Sequence, residues 1–392
     1  MKRVAIAGEI FSANMGDRAI HGCLLFLVKF LDSTIETISI DISGRVLGTR
    51  GSTGLDLKQR TALISAVPGF RLPVKIIKIA HHQINRMQGQ FEKLRKELET
   101  ADLLLIGGGQ LLMDDALNFP LKLSSLTRQA RSLDLPYHFS ACGVGKAWSR
   151  LGGGMLSRSL GEAQSITLRD HLSQERLAVL APGVKSTVTF DPAIWAASVY
   201  PVQAVNQSGA RIGLGVLNSS EGNLHLPRNR RLSKSAWTNM WIDLLEQLAA
   251  DHQPVEIFTT GSPADFVFAR KLFDAVQRKG WQQVSLAPIP DSPEMLVASL
   301  NNYSVVAAAR LHAAVLANAY GIPSVGLAWD QKVKAYYAET GRSELCFNLM
   351  NLASEEVAKA CNTLAGQLFP YTEIDGLKMR ALESVQIVLG TD

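Results

Sequence analysis

The chain has 392 residues, of which 47% are hydrophobic and 19% are charged, and its formal net charge is +5. These values exclude a disordered protein, and the length predicts two domains. No apolar run is long enough to span a membrane, and the apolar start is too short for a signal peptide. Four scattered cysteines predict reduced thiols without disulfides or zinc, so we expect a cytoplasmic protein.

Strand-like apolar runs alternate with helical patterns in the first half of the chain. The predicted strands are 4–7, 35–40, 103–106, 136–141, 165–168 and 186–190. The predicted helices are 17–31, 91–100, 121–133, 155–163 and 172–180. This βα series predicts a parallel sheet with helical connections.

The series restarts after an irregular segment at 196–208. The predicted strands are 211–216, 255–259, 284–286, 305–309 and 324–328, and the predicted helices are 235–250, 264–278, 293–300, 313–320, 354–364 and 374–389. We therefore predict an α/β protein with two doubly wound Rossmann-like domains and a central cleft, a GT-B-like fold. The domains are predicted at 1–200 and 208–372, and a helix within 373–392 is predicted to pack on the first domain.

Ligands of an open parallel sheet bind at the carboxyl ends of the strands, so the residues there are candidates for a site. Asn14 and Asp17 follow the first strand, where each fits either a helix cap or a contact to substrate. Gly108 and Gly109 belong to a glycine turn after the strand 103–106. This turn predicts a close approach of backbone to a ligand or, equally, a simple tight turn.

Two further strand ends carry candidate residues. Arg169 follows the strand 165–168, where an ion pair with Asp170 or Asp191 is favoured over contact to substrate. Gly261 and Ser262 lie between the strand 255–259 and the next helix. They can bind phosphate through backbone N–H groups, and a helix cap is the alternative interpretation.

Three cations follow the last two strands of the second domain. Arg310 and His312 end the strand 305–309, and alternation along an extended segment predicts that they share one face. Arginine binds carboxylate or phosphate, and histidine exchanges protons near neutral pH. Lys332 follows the next strand together with Asp330, where it completes the pocket or forms a surface ion pair. The sequence therefore predicts an anion-binding catalytic site.

Basic residues are concentrated between Arg45 and Arg86, and again between Arg228 and Arg231. The first stretch contains eight Lys or Arg residues and a single acid, Asp56. Such stretches fit an anionic membrane surface, an anionic substrate or a solvated face. Few aromatic residues and no binding motif accompany them, so nucleic acid is not expected as a partner.

Several of these residues belong to motifs that occur in a fixed order. The motifs are Asn14-x-Gly16-Asp17, Gly107-Gly108-Gly109, Arg169-Asp170-x-x-Ser173, Asp191-Pro192, Arg310-x-His312 and Gly321-Ile-Pro323 leading to Asp330-x-Lys332. In this order the chain resembles the polysaccharide pyruvyl transferase family over residues 8–341. It departs from the family at Arg18, where an acidic residue is common.

The resemblance implies transfer of pyruvate from phosphoenolpyruvate to two hydroxyls of one sugar, which gives a cyclic ketal and phosphate. The pair Arg310-x-His312 matches the essential motif of the family. Our hypothesis is that His312 protonates the substrate or binds its phosphate, and that Arg310 and Lys332 hold its anionic groups. The saccharide acceptor is expected in a cell-surface polysaccharide precursor, lipid-linked or free. Contact with the inner face of the membrane is the accompanying expectation. No redox cofactor and no metal are expected.

Two other functions are compatible with the same residues. The first is a GT-B glycosyltransferase that uses a sugar nucleotide, since it has the same architecture and an anion-binding second domain. The second is a non-catalytic protein that binds a sugar or a phosphate. Turnover of phosphoenolpyruvate distinguishes the proposed transferase from both.

Overall fold

The computed structural model describes residues 2–43, 90–202, 211–224, 226 and 228–391. The basic stretch from Arg45 to Arg86 lies outside the described residues. Most of the predicted domain boundary, residues 203–210, lies outside them too, so the limits at 200 and 208 stay a prediction.

The chain divides into two compact units, and each contains separate segments of the sequence. The first unit consists of Met1–Phe11, Leu24–Phe190 and Leu382–Asp392. The second consists of Ser12–Cys23 and Asp191–Ala381. The helix Met15–Leu31 therefore has residues in both units, and so has the last helix, Tyr371–Leu389.

The first unit is built on a six-stranded sheet in the order β2-β1-β3-β4-β5-β6, and all of its strand pairs are parallel. Its strands are β1 Arg3–Gly8, β2 Glu36–Asp41, β3 Leu103–Gly107, β4 Tyr137–Cys142, β5 Ser165–Leu168 and β6 Thr187–Val188. Its helices are α1 Met15–Leu31 in part, α2 Gln90–Glu99, α3 Asn118–Ser132, α4 Arg150–Gly161 and α5 His171–Leu180. Every residue of β3 is buried, as expected for a strand covered by helices on both faces.

The second unit is built on another parallel six-stranded sheet, in the order β12-β11-β10-β7-β8-β9. Its strands are β7 Arg211–Gly215, β8 Val255–Phe258, β9 Val284–Leu286, β10 Tyr303–Ala308, β11 Ser324–Ala328 and β12 Cys346–Asn348. Its helices are α6 Ala196–Val199, α7 Ser219–Gly222, α8 Lys234–Leu248, α9 Pro263–Gln277, α10 Pro293–Leu300, α11 Leu311–Ala319, α12 Gln331–Glu339, α13 Ser354–Leu364 and most of α14 Tyr371–Leu389. The strand order reverses between β7 and β10, which is where doubly wound sheets bind ligands.

The predicted α/β class with two doubly wound parallel sheets is confirmed. The structure adds α12 and β12, which the sequence analysis did not predict. It also begins α11 at Leu311, two residues earlier than predicted, and reduces the predicted strand 186–190 to Thr187–Val188. A strand of two or three residues leaves almost no periodic signal in a sequence, which explains the errors at β6 and β12.

All four cysteines are free thiols, as predicted. Cys23, Cys142 and Cys361 are buried, and Cys346 is partly buried. Among the described residues, no helix is both long enough and apolar enough to span a bilayer.

Candidate active site

Asn14 forms the turn that begins α1. Its side-chain oxygen accepts a hydrogen bond from the N–H of Gly16 at 3.2 Å, and its carbonyl accepts one from the N–H of Asp17 at 3.2 Å. Of the two candidates for the cap, Asn14 therefore makes the capping contact. The carboxylate of Asp17 instead accepts a hydrogen bond from the hydroxyl of Ser12 at 2.8 Å.

His312 lies between two carboxylates in the first turn of α11, directly after β10. Its Nδ1 is 3.6 Å from Oδ1 of Asp17, and its Nε2 is 3.4 Å from Oδ2 of Asp191. The side chain is 8% exposed, and Nε2 has no partner with hydrogen-bond geometry in the described part of the chain. Both ring nitrogens of a buried histidine are thus directed at negative charge.

The expectation that Arg310 and His312 share one face of an extended segment is wrong, because a helix begins at Leu311. The two side chains consequently have different partners. Arg310 donates from Nε and Nη2 to Asp265 at 2.9 and 2.7 Å, and from Nη1 and Nη2 to Glu221 at 3.0 and 3.0 Å. Four of the five guanidinium N–H donors are therefore used within the protein.

The two carboxylates around Arg310 differ in exposure. Asp265 is completely buried and also accepts hydrogen bonds from the backbone N–H and side-chain amide of Asn218, at 2.9 and 2.6 Å. The side chain of Glu221 is 37% exposed. Burial alone would lower the pKa of Arg310, but the charges of Asp265 and Glu221 raise it above its ordinary value. Arg310 is therefore a permanent cation with one outer, solvent-accessible anionic partner.

The loop before α9 contacts the turn before α1. The N–H of Met15 donates to the carbonyl of Thr260 at 2.8 Å, and Ser262 caps α9 by accepting from the N–H of Asp265. Gly261 has a φ of 103°, and a β-carbon there would lie 2.5 Å from the carbonyl oxygen of Ala13. Gly261 is therefore required both by its backbone conformation and by close packing.

The hydroxyls of Thr259 and Thr260 are buried and lack a hydrogen-bond partner among the described atoms. Both precede α9, whose first turn offers backbone N–H groups and the positive end of the helix dipole. Buried hydroxyls normally have partners, so this loop has unused hydrogen-bonding capacity.

Lys332 lies in the first turn of α12, beside the capping residue Asp330. Its Nζ is 3.9 Å from Oδ2 of Asp330 and 5.2 Å from the centre of the Trp329 ring. The indole N–H of Trp329 donates to the carbonyl of Ala309 at 2.9 Å. This bond connects the ends of β10 and β11, and so connects the surroundings of Lys332 to those of Arg310.

Gly108, Gly109 and Arg169 belong to the first unit. Both glycines have a φ of 76°, and the carbonyl of Gly109 accepts a hydrogen bond from the N–H of Gly143 at 2.8 Å. Arg169 is buried, and its Nε lies 3.3 Å from the carboxylate of Asp170. The ion-pair interpretation of Arg169 therefore has a partner in the structure.

Asp265 and Glu221 are not indicated by any pattern in the sequence, and Asp191 is indicated there only as a possible ion-pair partner of Arg169 and as part of the motif Asp191-Pro192. Asp265 and Glu221 are 45 and 89 residues from Arg310, so no local pattern reveals their contacts. Asp191 precedes Pro192, a pair that begins a short helix, and this local signal was available. Within the described residues, no group of three or more His, Cys, Asp or Glu side chains could hold a metal ion.

The sequence model of one protein family, described as polysaccharide pyruvyl transferase, matches residues 27–331. The match includes Asp191, Arg310 and His312, and it covers well over half of the chain. The turn at Asn14 and residue Lys332 lie outside the matched range. A comparison with curated protein sequences gave no match.

Solved structures share the fold at low sequence identity. UDP-GlcNAc 2-epimerase from Methanocaldococcus jannaschii has a TM-score of 0.58 and 9% identity, with 99% of each chain covered. The UDP-GlcNAc 2-epimerase from Neisseria meningitidis, bound to UDP-GlcNAc, has a TM-score of 0.55 and 14% identity over 100% of each chain. The trehalose-6-phosphate phosphatase N-terminal domain of Candida albicans has a TM-score of 0.52 and 9% identity, with 100% of this chain and 93% of that chain covered. The fold is therefore GT-B-like.

Proposed function

This chain belongs to the polysaccharide pyruvyl transferase family, and we propose that it transfers pyruvate from phosphoenolpyruvate to two hydroxyls of one sugar. The product is a cyclic ketal on a polysaccharide precursor, and the second product is phosphate. Membership makes the protein a transferase. The identity of the donor and the formation of the ketal are our proposal.

The observation that carries the proposal is the position of His312 between Asp17 and Asp191, after the strand where the order of the second sheet reverses. Acid–base chemistry on phosphoenolpyruvate requires a group that delivers a proton to carbon. A histidine whose two ring nitrogens face carboxylates at a strand end supports that role, since an imidazole can carry and transfer a proton.

The reaction balances without an added reagent. His312 donates a proton to the methylene carbon, and the oxygen of the first sugar hydroxyl bonds to the adjacent carbon as it loses its own proton. The bond between that carbon and the phosphate oxygen then breaks, and the second hydroxyl oxygen takes its place. One of the two hydroxyl protons returns to His312 and replaces the proton given to carbon. The other leaves with the phosphate.

The anionic groups of phosphoenolpyruvate need fixed cations and N–H donors. In our proposal Lys332 and the N–H groups at the start of α9, beside Gly261 and Ser262, bind the phosphate. The unpartnered hydroxyl of Thr260 supports this assignment. Arg310 binds the carboxylate of phosphoenolpyruvate. This carboxylate replaces Glu221 as a partner of Arg310, because Glu221 is exposed whereas the other partner, Asp265, is buried.

The acceptor is proposed to be a saccharide of a cell-surface or exopolysaccharide precursor, lipid-linked or free. The candidates for contacts to substrate still include Asn14, Gly108, Gly109 and Arg169. We expect the glycine turn to bind the acceptor. Phosphoenolpyruvate is made in the cytoplasm, so we propose that the reaction occurs there, against the inner face of the membrane if the acceptor is lipid-linked. The chemistry needs neither a redox cofactor nor a metal.

The test is incubation of the full chain with phosphoenolpyruvate and a panel of model and lipid-linked glycosides. We expect phosphate release that depends on the glycoside, a new ketal methyl signal by NMR, and no effect of EDTA. His312→Ala should abolish both signals. A panel without turnover, combined with a melting temperature raised by UDP but not by phosphoenolpyruvate, would support a sugar-nucleotide glycosyltransferase instead.

A further inference from the structure

We propose that Asp191 is a positioning residue that keeps a proton on Nε2 of His312, so that Nδ1 is the nitrogen that transfers a proton. The proposal rests on the proposed function and assigns separate tasks to the two ring nitrogens. Asp17, on the Nδ1 side, then lies next to the atom that reacts.

The two oxygens of Asp191 have different partners. Oδ1 accepts a hydrogen bond from the N–H of Ala193 at 3.1 Å, which begins the 3-10 helix Pro192–Trp195. Oδ2 is the oxygen that lies 3.4 Å from Nε2 of His312. Because Asp191 is 3% exposed and held by the helix it caps, its carboxylate has a fixed orientation toward the ring.

The facing carboxylate determines which ring nitrogen keeps a hydrogen. A neutral imidazole has one N–H and one nitrogen with a lone pair. If the lone pair were on Nε2, it would face an anionic oxygen in a buried environment, with no other described group to donate to it. A hydrogen on Nε2 changes this repulsion into attraction. Nε2 therefore stays protonated in both charge states of the ring, and only Nδ1 gains and loses a proton.

The Nδ1 side is the more open side of the ring. The side chain of Asp17 is 23% exposed, whereas that of Asp191 is 4% exposed. Ser12 holds Asp17 from the other side, by donating its hydroxyl hydrogen to Oδ2. In the proposal, substrate reaches Nδ1 past Asp17, because the ring also packs against Gly16. There Nδ1 donates its proton to the methylene carbon and regains one from the first sugar hydroxyl.

Further ionisable groups surround the two carboxylates. Burial, and in addition the charge of Asp191, raise the pKa values of the Cys23 thiol and the Tyr336 phenol, so both stay neutral at neutral pH. The guanidinium of Arg310 is directed at Asp265 and Glu221. The charged groups whose oxygens lie within 4 Å of the ring nitrogens are Asp17 from α1 and Asp191 from the 3-10 helix, among the described residues.

The variant Asp191→Asn gives a sharp test. The N–H of Ala193 requires an acceptor, so the amide oxygen should take the place of Oδ1 and the NH₂ group should face Nε2. Nε2 must then carry the lone pair, and the hydrogen moves to Nδ1. The same exchange in a serine protease triad, Asp→Asn, lowers kcat about 10⁴-fold through the wrong tautomer.

The first measurement is ¹⁵N NMR of the histidine rings in the protein without substrate, with His312→Gln to identify the signals. At alkaline pH we expect hydrogen on Nε2 in the wild type and on Nδ1 in Asp191→Asn. Hydrogen on Nδ1 in the wild type would overturn the proposal. This readout does not depend on turnover, so it remains valid if phosphoenolpyruvate is not the donor.

The second measurement is steady-state kinetics with phosphoenolpyruvate. For Asp191→Asn we expect kcat to fall by about 10²-fold or more, with KM for phosphoenolpyruvate changed by less than about 3-fold. Wild-type kcat in a folded Asp191→Asn would overturn the positioning role while leaving the proposed function intact.

The matched control is Asp243→Asn, which removes an exposed carboxylate on α8 of the same unit. We expect it to leave kcat, KM and the ring signals unchanged. Thermal unfolding of both variants shows whether a loss of activity comes from a changed orientation of the His312 ring or from unfolding of the protein. Asp191→Glu, which restores the charge, should recover part of kcat and return the hydrogen to Nε2.

Discussion

The imidazole of His312 occupies the space that a side chain on Gly16 would need. A β-carbon on Gly16 would lie 2.3 Å from Cβ of His312 and 2.7 Å from its Nδ1. Gly16 is part of the first turn of α1, where its N–H is held by Asn14. Glycine at this position therefore fixes the distance between the ring and the Asp17 carboxylate.

Gly16→Ala should move the ring and impair the proton transfer. We expect kcat to fall at least about 10-fold, because misplacement by about 1 Å is costly in a site that depends on orientation. The matched control is Gly154→Ala on α4, where no atom lies within 4 Å of the added carbon. That change should stabilise the protein by about 0.5 kcal/mol through the unfolded state. Unchanged kcat in Gly16→Ala would contradict the packing argument.

Glu221→Gln should lower KM for phosphoenolpyruvate. In the proposed site, Glu221 competes with the substrate carboxylate for the outer side of Arg310, and an uncharged amide competes less well. We expect a decrease of about 3- to 10-fold at low salt, about 1 kcal/mol, as for a partly exposed ion pair. Glu246→Gln on the exposed face of α8 is the control. A higher KM in Glu221→Gln would instead make Glu221 necessary for orienting Arg310.

Asp265→Asn should be the most destabilising of these changes. It leaves the buried guanidinium of Arg310 without its inner anion, and removal of one partner of a buried ion pair costs about 3–5 kcal/mol. Urea unfolding measures the loss of free energy. The double variant Asp265→Asn with Arg310→Gln should lose much less than the sum of the single changes. Additive losses would show that the pair is not coupled.

Stability should fall in mild acid because of His138 on β4. Burial, and to a lesser degree the charge of Lys2, lower the pKa of His138 from 6.5 to about 4. Between those values the unfolded chain binds a proton that the folded protein excludes, so the free energy of unfolding decreases as the pH falls from 6.5 toward 4. Partial exposure limits the effect to roughly 1 kcal/mol. Chemical unfolding at several pH values measures it, and His138→Gln should flatten the dependence.

The thiols should react slowly with Ellman's reagent at pH 8 while the protein is folded. Burial raises the pKa values of Cys142 and Cys361 to about 12 and that of Cys346 to about 11. Because the thiolate is the reactive form, almost none is present. Cys346 is the least buried and should react first. All four should react together in denaturant, and a rapidly labelled buried thiol would contradict the prediction.

Much of the fold could be predicted because its strands are continuous apolar runs followed by capped helices. The strand before Arg310 and the capping residue Ser262 were visible in this way. The helix boundary at Leu311 was not, because Arg310 caps it without a side-chain hydrogen bond and every residue of α11 is buried, so the helix has no exposed polar face. A shared face of Arg310 and His312 requires an extended segment, and the helix takes its place.

The composition of the site could be predicted only in part. His312 stands out because a histidine next to an apolar run at a strand end is unusual. Its neighbour Asp17 comes from the first helix and Asp191 from the segment that begins the main part of the second unit. Such contacts depend on how strands are ordered in the sheet, and local periodicity contains no information about that order.

The assignment of Ser12–Cys23 to the second unit has a consequence for synthesis on the ribosome. Asp17 is made before Thr260 and His312, which its segment contacts and which follow it much later in the chain. The beginning of α1 therefore lacks its final partners until those residues have been synthesised. Pulse-labelled nascent chains should acquire protection from protease at this segment only once α11 has left the exit tunnel.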